Sequence, residues 1–275
     1  MTHALDFIAE HPQCVLVEVT EAKGSTPRDA GAFMLVSCAA VAGTIGGGQL
    51  EYMAIDNARA LIAGKGREDM DIPLGPEIGQ CCGGRTRLIF RTMTPALART
   101  LGDRLEHERE TLPQITLFGA GHVGRAVTRA LAPLPFRLRV IETRAAEMLT
   151  PSPDIDRKLT ALPEAEVEEM QAGSAALILT HDHALDFLIA RAALARKDLA
   201  YIGMIGSATK RAAFAHWLER EGESRSLLSN LTLPIGGRLV RDKRPEVIAA
   251  LVAAELLGVY AQRAAMEPLS LCPPP

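Results

Sequence analysis

Residues 115–124 read ITLFGAGHVG, and this stretch decides the fold of the chain. Its apolar start, Ile115–Phe118, predicts a short buried strand, and the residues from Gly124 to Leu131 have the pattern of a helix. Between them lies a G-x-G-x-x-G sequence. The first glycine permits a tight turn, the second lets a pyrophosphate approach, and the third lets the helix pack on the strand. The stretch therefore predicts a Rossmann-like, dinucleotide-binding fold.

The chain after this turn alternates between strand and helix patterns. Further strands are predicted at Leu138–Ile141, Ala176–Leu179 and Tyr201–Ile205, and helices at about Leu185–Arg196, at about Ala208–Glu221 and from Pro245. Such alternation is typical of a doubly wound parallel sheet with helices on both faces. If the strand order is 3-2-1-4-5, the loop after Ala176–Leu179 faces the glycine turn.

The chain before the turn predicts a smaller α/β domain with glycine-rich loops. Its strands are expected at Cys14–Thr20, Phe33–Ser37 and Thr86–Arg91, and a helix at about Glu51–Ala63. A polar, highly charged stretch follows and indicates a solvated helix or linker. We therefore divide the chain into an N-terminal domain (1–100), a linker (101–112) and a Rossmann-like domain with a C-terminal helix (113–275).

The composition excludes some classes of function. The chain has 275 residues, with 30 Lys and Arg residues against 33 Asp and Glu residues and a formal net charge of −3. A chain so close to neutral is not built around a basic surface for a polyanion, so DNA or RNA is a poor first candidate as a partner. Its longest purely apolar run, Val247–Ala254, is far shorter than the ~20 residues of a membrane-spanning helix. We therefore expect neither nucleic acid nor a membrane as a partner.

The Rossmann-like half carries several candidate ligand contacts. At the turn, the candidates for binding a nucleotide are Gly119, Gly121, His122 and Gly124, and Glu142 follows about 20 residues later, where an acid can hold a ribose diol. In the loop Thr180–His183, His181 and Asp182 could contribute to metal binding or proton transfer; the alternative is that Asp182 only caps a helix.

A further anion site is predicted where the Tyr201–Ile205 strand meets the next helix. Ser207 and Lys210 place a hydroxyl and a cation at the start of that helix, together with backbone donors. The alternative, without a ligand, is a serine N-cap beside a solvated lysine. The residues alone leave both interpretations open.

Two N-terminal loops are also candidates for anion binding. The sequence GTIGGG places Gly46, Gly47 and Gly48 before a helix, where their backbone N–H groups could bind a phosphate. In GSTPR, Arg28 supplies a guanidinium that can make forked contacts to an anion. The alternative for both loops is a pair of tight turns in a small domain.

The loop GQCCGG is the most informative string of the N-terminal half. Adjacent cysteines have Cα atoms about 3.8 Å apart, below the usual disulfide range, so Cys81 and Cys82 are expected as free thiols. The chain has five cysteines and no export signal, which indicates reduced thiols and a cytoplasmic protein. With Gln80, the two cysteines are candidate cofactor contacts, since thiolates bind soft metals and accept sulfur.

Taken together, these strings resemble the xanthine dehydrogenase accessory protein family (XdhC/CoxI-like). The resemblance covers residues from about 20 to 260, in the family's order. The matching strings are GSTPRDAGAFMLV, GTIGGGQLE, GQCCGG, LFGAGHVGRA, VIETR, THDHALD, YIGMIGSATKR, and PIGG followed by RPEVIA. Two departures from the family pattern are Leu233, where many members have cysteine, and Glu142, where aspartate is more usual.

The resemblance implies a cytoplasmic chaperone of purine catabolism, with no catalytic residues assigned. It would bind the molybdenum cofactor in its molybdopterin form, protect it while it gains its terminal sulfur, and deliver it to a xanthine dehydrogenase-type apoenzyme. Cys81 or Cys82 would lie near molybdenum or receive sulfur. A cysteine desulfurase-like sulfur donor and a homodimer belong to the same expectation.

Two points are left open by the sequence. The glycine turn at Gly119–Gly124 could bind a nucleotide or dinucleotide besides the pterin, or no ligand. An NAD(P)-dependent oxidoreductase is the alternative function; it accounts for the Rossmann-like half but gives the Cys81–Cys82 loop no role.

Overall fold

The computed structural model describes residues 2–76, 83–148, 155–237, 240 and 242–266. It divides into two compact units, Met1–Glu108 and Arg109–Pro275. The division falls near the end of a long helix, Pro95–Thr111, which runs through most of the segment that the sequence predicts as a linker. Each unit has its own sheet and its own core.

The first unit contains a five-stranded antiparallel sheet with the order β3-β2-β1-β5-β4. The strands are β1 (Val15–Lys23), β2 (Phe33–Val36), β3 (Val41–Gly43), β4 (Asp69–Pro73) and β5 (Arg85–Thr92), and the helices are α1 (Thr2–Glu10), α2 (Gly48–Ile62) and α3 (Pro95–Thr111). The sequence misses α1 and the two edge strands, β3 and β4.

The apolar run of β1 reflects burial on both faces of this sheet. Val15 and Val17 lie in a core cluster with Leu50 of α2. Leu16, which points to the other face, packs in a cluster with Leu101 of α3. A strand covered on both faces is apolar at successive positions rather than at alternate ones.

The second unit contains a five-stranded parallel sheet with the order β10-β9-β6-β7-β8. The strands are β6 (Gln114–Phe118), β7 (Arg137–Glu142), β8 (Ile155–Leu159), β9 (Ala175–Ile178) and β10 (Tyr201–Met204), and the helices are α4 (His122–Leu131), α5 (His183–Ala195), α6 (Ala208–Arg220) and α7 (Pro245–Met266). In the order in which these strands occur along the chain, the arrangement is 3-2-1-4-5. The predicted fold class, a mixed α/β N-terminal domain followed by a Rossmann-like doubly wound sheet, is confirmed.

Helices cover both faces of the parallel sheet. On one face, Val127 of α4 and Val252 of α7 share a buried cluster with Leu117 of β6. On the other face, Phe187 of α5 and Phe214 of α6 pack in a second cluster, with ring centroids 5.0 Å apart. This layering leaves the carboxyl ends of β6, β9 and β10 at one edge, where the predicted ligand loops begin.

The C-terminal helix α7 is long and apolar enough to cross a bilayer by length and composition alone, with a mean hydropathy of 1.5. No other helix in the described part of the chain meets that criterion. Ala249, Val252 and Leu256 of α7 are buried in the cluster that also contains α4. These contacts pack one face of α7 onto the second unit, and 22% of its most apolar window is buried.

Candidate functional site

Three glycine-containing loops of the first unit lie directly against one another. A Cβ atom added to Gly46 would lie 2.5 Å from Cγ of Pro27. A Cβ atom added to Gly84 would lie 2.2 Å from the carbonyl oxygen of Ser25, and one added to Gly24 would lie 3.3 Å from Cα of Gly84. The strings GSTPR, GTIGGG and the end of GQCCGG therefore meet at one place in the fold.

The GTIGGG loop binds a carboxylate of its own chain. One oxygen of Glu51, Oε1, accepts hydrogen bonds from the Thr44 hydroxyl, from the Ile45 N–H at 3.0 Å and from the Gly46 N–H at 3.3 Å. Burial raises the pKa of Glu51, but these hydrogen bonds outweigh burial and hold the pKa below its usual value. The N–H groups of Gly46 and Gly47, two predicted phosphate donors, are thus engaged with Glu51.

Gly47 and Gly48 continue this loop into α2. Both have positive φ, 80° and 65°, and Gly47 is the N-cap residue of α2, which has no side-chain cap. The first N–H groups of a helix have no partner within the helix. Arg28, which follows Pro27, is exposed and forms no ion pair with any residue that the structure describes.

Gln80, Cys81 and Cys82 lie outside the described residues. The two ends of the segment that contains them are close together. The Leu74 N–H donates to the Gly84 carbonyl at 2.8 Å, and the Gly83 N–H donates to the Leu74 carbonyl at 2.8 Å. The described chain thus resumes at Gly83 and Gly84, next to the loop that contains Ser25.

The glycine turn of the second unit has the close backbone contacts that its pattern predicts. Gly119 has a φ of +115°, and a Cβ atom there would lie 2.5 Å from the carbonyl oxygen of Leu179. A Cβ atom on Gly124 would lie 2.1 Å from the carbonyl oxygen of Gly119. Gly121 is the N-cap residue of α4, and His122 is exposed at its first position. The loop after β9 therefore meets the turn, as the strand order predicts.

Glu142 holds this turn through hydrogen bonds within the protein. Its Oε2 accepts from the Ala120 N–H at 2.8 Å and from Arg144 Nη2 at 3.1 Å. Its Oε1 accepts from the N–H groups of Thr143 and Arg144, at 2.9 and 3.1 Å, and from Arg144 Nε at 3.2 Å. Burial raises the pKa of Glu142, but these donors outweigh it and lower the pKa to about 2.

These hydrogen bonds decide whether Glu142 can accept from a ribose diol, the contact that the sequence predicts for it. A carboxylate has about four lone-pair sites, and the bonds from Ala120, Thr143 and Arg144 fill them. Arg144 also forms an ion pair with Glu147 at 3.4 Å. In this conformation Glu142 has no acceptor capacity left for a ribose diol.

The loop after β9 is fixed by helix capping. Asp182 is the N-cap residue of α5, and its Oδ1 accepts from the Ala184 N–H at 2.7 Å. His181 and His183 are exposed. Within the part of the chain that the structure describes, no group of three or more His, Cys, Asp or Glu side chains is placed to hold a metal ion. The capping alternative considered for Asp182 is thus present in the structure.

The loop after β10 contains the serine N-cap that was the alternative to an anion site. Ser207 is the N-cap residue of α6, and its Oγ accepts from the Lys210 N–H at 3.3 Å. Lys210, however, is not solvated. Its side chain is 7% exposed, and its ammonium group pairs with Asp186. The predicted anion contact is therefore already engaged with an anion of the protein.

Sequence reasoning assigned no role to Glu51, Arg144 or Asp186. Each lies within a string that carries the family resemblance: GTIGGGQLE, VIETR and THDHALD. An acid in the first turn of a helix that follows a glycine loop is a known signal for capping back onto that loop, and it could have identified Glu51. For Asp186 and Arg144 no comparable local signal exists.

Comparison with protein families matches both units. The model described as the XdhC Rossmann domain matches residues 115–256, and the model of the XdhC and CoxI family matches residues 7–71. The first of these covers more than half of the chain. The chain belongs to the XdhC and CoxI family.

Two curated proteins are similar to this XdhC-family chain. It is 27% identical over 269 residues to the "Uncharacterized protein YqeB" of Escherichia coli K12, covering 94% of this chain and 46% of the relative. It is 30% identical over 151 residues to a probable xanthine dehydrogenase subunit of Bacillus subtilis 168, covering 54% of this chain and 43% of the relative. The chain thus spans less than half the length of either relative.

One solved structure matches the whole chain. It is the crystal structure of a xanthine dehydrogenase from Bacillus halodurans, with a TM-score of 0.76, 19% identity and coverage of 98% of both chains. At this identity the match shows that the XdhC-family chain and the crystallised protein share a fold.

We expect the replacement Gly84→Ala to destabilise the first unit by about 1–3 kcal/mol, because a methyl group there overlaps the Ser25 carbonyl oxygen. Gly75→Ala is the matched control, since a Cβ atom at Gly75 meets nothing within 4 Å. It should change the unfolding free energy by less than about 0.5 kcal/mol. Urea unfolding of both variants measures the difference; equal stabilities would contradict the packing of these loops.

We expect Glu142 to make the second unit sensitive to acid. Because its folded-state pKa is about 2, below its value of about 4.3 in the unfolded chain, its stabilisation is complete above about pH 5 and is lost as the pH falls toward 2. The size is about 3 kcal/mol. Urea unfolding should therefore show Glu142→Gln well below the parent at pH 7, with a smaller gap at pH 3.

The control for this experiment is Glu168→Gln, a change at an exposed acid of the same unit. Its unfolding free energy should follow that of the parent at both pH values. A gap between Glu142→Gln and the parent that stays constant from pH 7 to pH 3 would show that the Glu142 carboxylate is not specifically stabilised.

Proposed function

We propose that this chain is a maturation factor for a xanthine dehydrogenase-type molybdenum hydroxylase. Its cargo is the molybdenum cofactor in its molybdopterin form, which it protects during sulfuration and delivers to the apoenzyme. Membership of the XdhC family supports a role in xanthine dehydrogenase maturation. The single observation that carries the proposal is the convergence of three glycine loops in the first unit, around Gly24, Gly46 and Gly84.

The phosphate of the pterin is assigned to the loop that begins α2. Glu51 engages the N–H groups of Gly46 and Gly47, so these two glycines contribute close packing, while the N–H group of Gly48 is the donor proposed for the phosphate. Arg28 supplies the matching positive charge, because no described acid neutralises it. A phosphate bound there would gain both a backbone donor and a guanidinium.

Cys81, Cys82 and Gln80 complete the proposed site by their place in the chain. Cys82 directly precedes Gly83, whose N–H is bonded to Leu74 beside the glycine loops. In our proposal a thiolate of this pair lies near molybdenum or receives sulfur from a cysteine desulfurase-like donor. We propose in addition that the chain acts in the cytoplasm and assembles as a homodimer.

The glycine turn of the second unit is the proposed site for a nucleotide or for the nucleotide part of a dinucleotide cofactor form. The N-terminus of α4 at Gly121 and His122 offers donors to a phosphate. Glu142 would act by holding Ala120 rather than by binding a ribose. That arrangement disfavours the NAD(P)-dependent oxidoreductase, whose fingerprint requires the acid or an arginine to be available to the ribose.

We expect the chain to retain the molybdenum cofactor at close to one equivalent after anaerobic incubation with isolated cofactor and gel filtration. Molybdenum and pterin contents measure the retention. The double replacement Cys81→Ala/Cys82→Ala should lower it at least several-fold, because the proposed thiolate contacts are lost. Cys38→Ala, which removes an exposed cysteine elsewhere in the first unit, is the matched control and should retain cofactor like the parent.

The outcomes separate the parts of this proposal. Retention by the parent and the control with loss in the double variant supports the thiol contact. Equal retention in all three removes the role of Cys81 and Cys82 while leaving the carrier function. No retention by the parent, under conditions in which an established carrier binds, overturns the proposed function.

A further inference from the structure

A buried ion pair lies beneath the loops that follow β9 and β10. The side chains of Lys210 on α6 and Asp186 on α5 are 7% and 1% exposed, and the Lys210 ammonium donates to Oδ2 of Asp186. Both residues come from helices that begin at the ligand edge of the sheet. Burying two charges costs free energy unless each is paired and hydrogen-bonded, so the pair needs a reason beyond stability.

The two partners of the pair hold different loops. Oδ1 of Asp186 accepts from the N–H of Thr180 at 3.1 Å and from its hydroxyl at 2.6 Å. The Lys210 ammonium donates to the carbonyl oxygen of Ile205 at 2.9 Å. A Cβ atom on Gly206 would lie 2.6 Å from Cδ of Lys210, so the loop after β10 rests directly on the lysine stem.

The pair also connects to the glycine turn. Thr180, which Asp186 holds, lies next to Gly119: a Cβ atom on Gly119 would be 3.0 Å from Cα of Thr180. Three loops that end parallel strands β6, β9 and β10 are therefore linked through Thr180, Asp186, Lys210 and Ile205. In a doubly wound sheet this edge is where ligands bind.

We propose that Asp186 and Lys210 are a positioning pair that fixes the loops after β9 and β10 against the glycine turn, so that together they receive the nucleotide, or the nucleotide part of a dinucleotide cofactor form, that the proposed function assigns to this edge. This inference rests on the proposed function. Lys210 acts through its hydrogen bonds to Asp186 and to the Ile205 carbonyl, and it does not itself contact the ligand. The ion pair specifies one arrangement of the loops, because a displaced partner would leave a buried charge unpaired.

The test replaces both charges at once, Asp186→Asn with Lys210→Met. The asparagine Oδ1 can still accept the bonds from Thr180, and methionine keeps most of the apolar stem that supports Gly206. Replacing both members of a buried pair by neutral residues often leaves stability unchanged, whereas removing one does not. The double variant therefore separates positioning from folding, and its Tm should stay close to that of the parent.

Two measurements are made on the double variant and the parent. Hydrogen exchange should be faster by about tenfold at the N–H groups of residues 205 and 210, which are bonded to the Ile178 carbonyl and to Ser207 Oγ, since this is the change expected when one charge-assisted hydrogen bond is lost. The dissociation constant for the isolated dinucleotide form of the molybdenum cofactor should rise by about tenfold for the same reason. The control is Arg139→Leu/Glu166→Gln, which removes a second poorly exposed contact, 3.0 Å long, in the middle of β7, together with the surrounding ion pairs to Asp156, Lys158 and Glu169.

Each outcome decides the inference. Faster exchange and weaker binding in Asp186→Asn/Lys210→Met, with the control binding like the parent, support the positioning pair. Unchanged exchange in a folded double variant overturns it, as does unchanged binding. If the double variant fails to fold, Asp186→Asn alone, which keeps the Oδ1 acceptor for Thr180 and places an amide N–H2 group where Lys210 donates, must show the faster exchange or the inference fails.

Failure of the proposed function gives a different result. In that case the parent itself does not retain the cofactor, whatever the state of the pair. Hydrogen exchange then still tests whether Lys210 and Asp186 fix the loops, since that measurement needs no ligand.

Discussion

The second unit depends on backbone contacts that only glycine allows. The Gly119 turn lies so close to the loop after β9 that a Cβ atom would overlap the Leu179 carbonyl, and Gly124 lies equally close to the carbonyl of Gly119. These contacts bring β6, β9 and α4 together at one edge of the sheet. The candidate ligand contacts of this unit all lie at that edge, because the convergence places separate loops within reach of one small molecule.

Both units use an internal carboxylate to organise a loop of exposed donors. Glu51 binds the N–H groups at the start of the GTIGGG loop, and Glu142 binds the N–H of Ala120 in the glycine turn. In each case hydrogen bonds outweigh burial and lower the pKa, so the carboxylates are charged at neutral pH. The protein's own anions thus take some of the donors, and they fix the direction of those that remain.

The sequence predicts the parts of this structure that local pattern determines. The glycine turn, the buried strands β6, β7 and β9, and α4–α7 follow from apolar runs and from their spacing. The strands that it misses, β3, β4 and β8, all lie at sheet edges. An edge strand such as β4, with the sequence DMDIP, needs few apolar residues, so its pattern does not differ from that of a polar loop.

The same limit applies to the candidate site. Ser207 and Asp182 accept from N–H groups two or three residues later in the chain, so their helix capping can be predicted from the sequence. The sequence predicts an external anion for Lys210, but its partner, Asp186, is 24 residues away and becomes a neighbour only when α5 and α6 pack on the same sheet face. Glu142 likewise meets Ala120 across 22 residues. Pairings of this kind depend on tertiary packing, which no local pattern records.

Lys210 also shows why charge near a ligand edge does not by itself identify a ligand contact. A lysine whose ammonium is buried against a carboxylate presents no net charge to an incoming anion, and its attraction for that anion is correspondingly small. What the pair can contribute is geometry, because Asp186 accepts from Thr180 and Lys210 donates to the carbonyl of Ile205. The positive potential for a ligand in this unit then has to come from the helix N-termini at Gly121 and Ser207, because at the start of α5 the Asp182 carboxylate accepts from the N–H groups of Ala184 and Leu185.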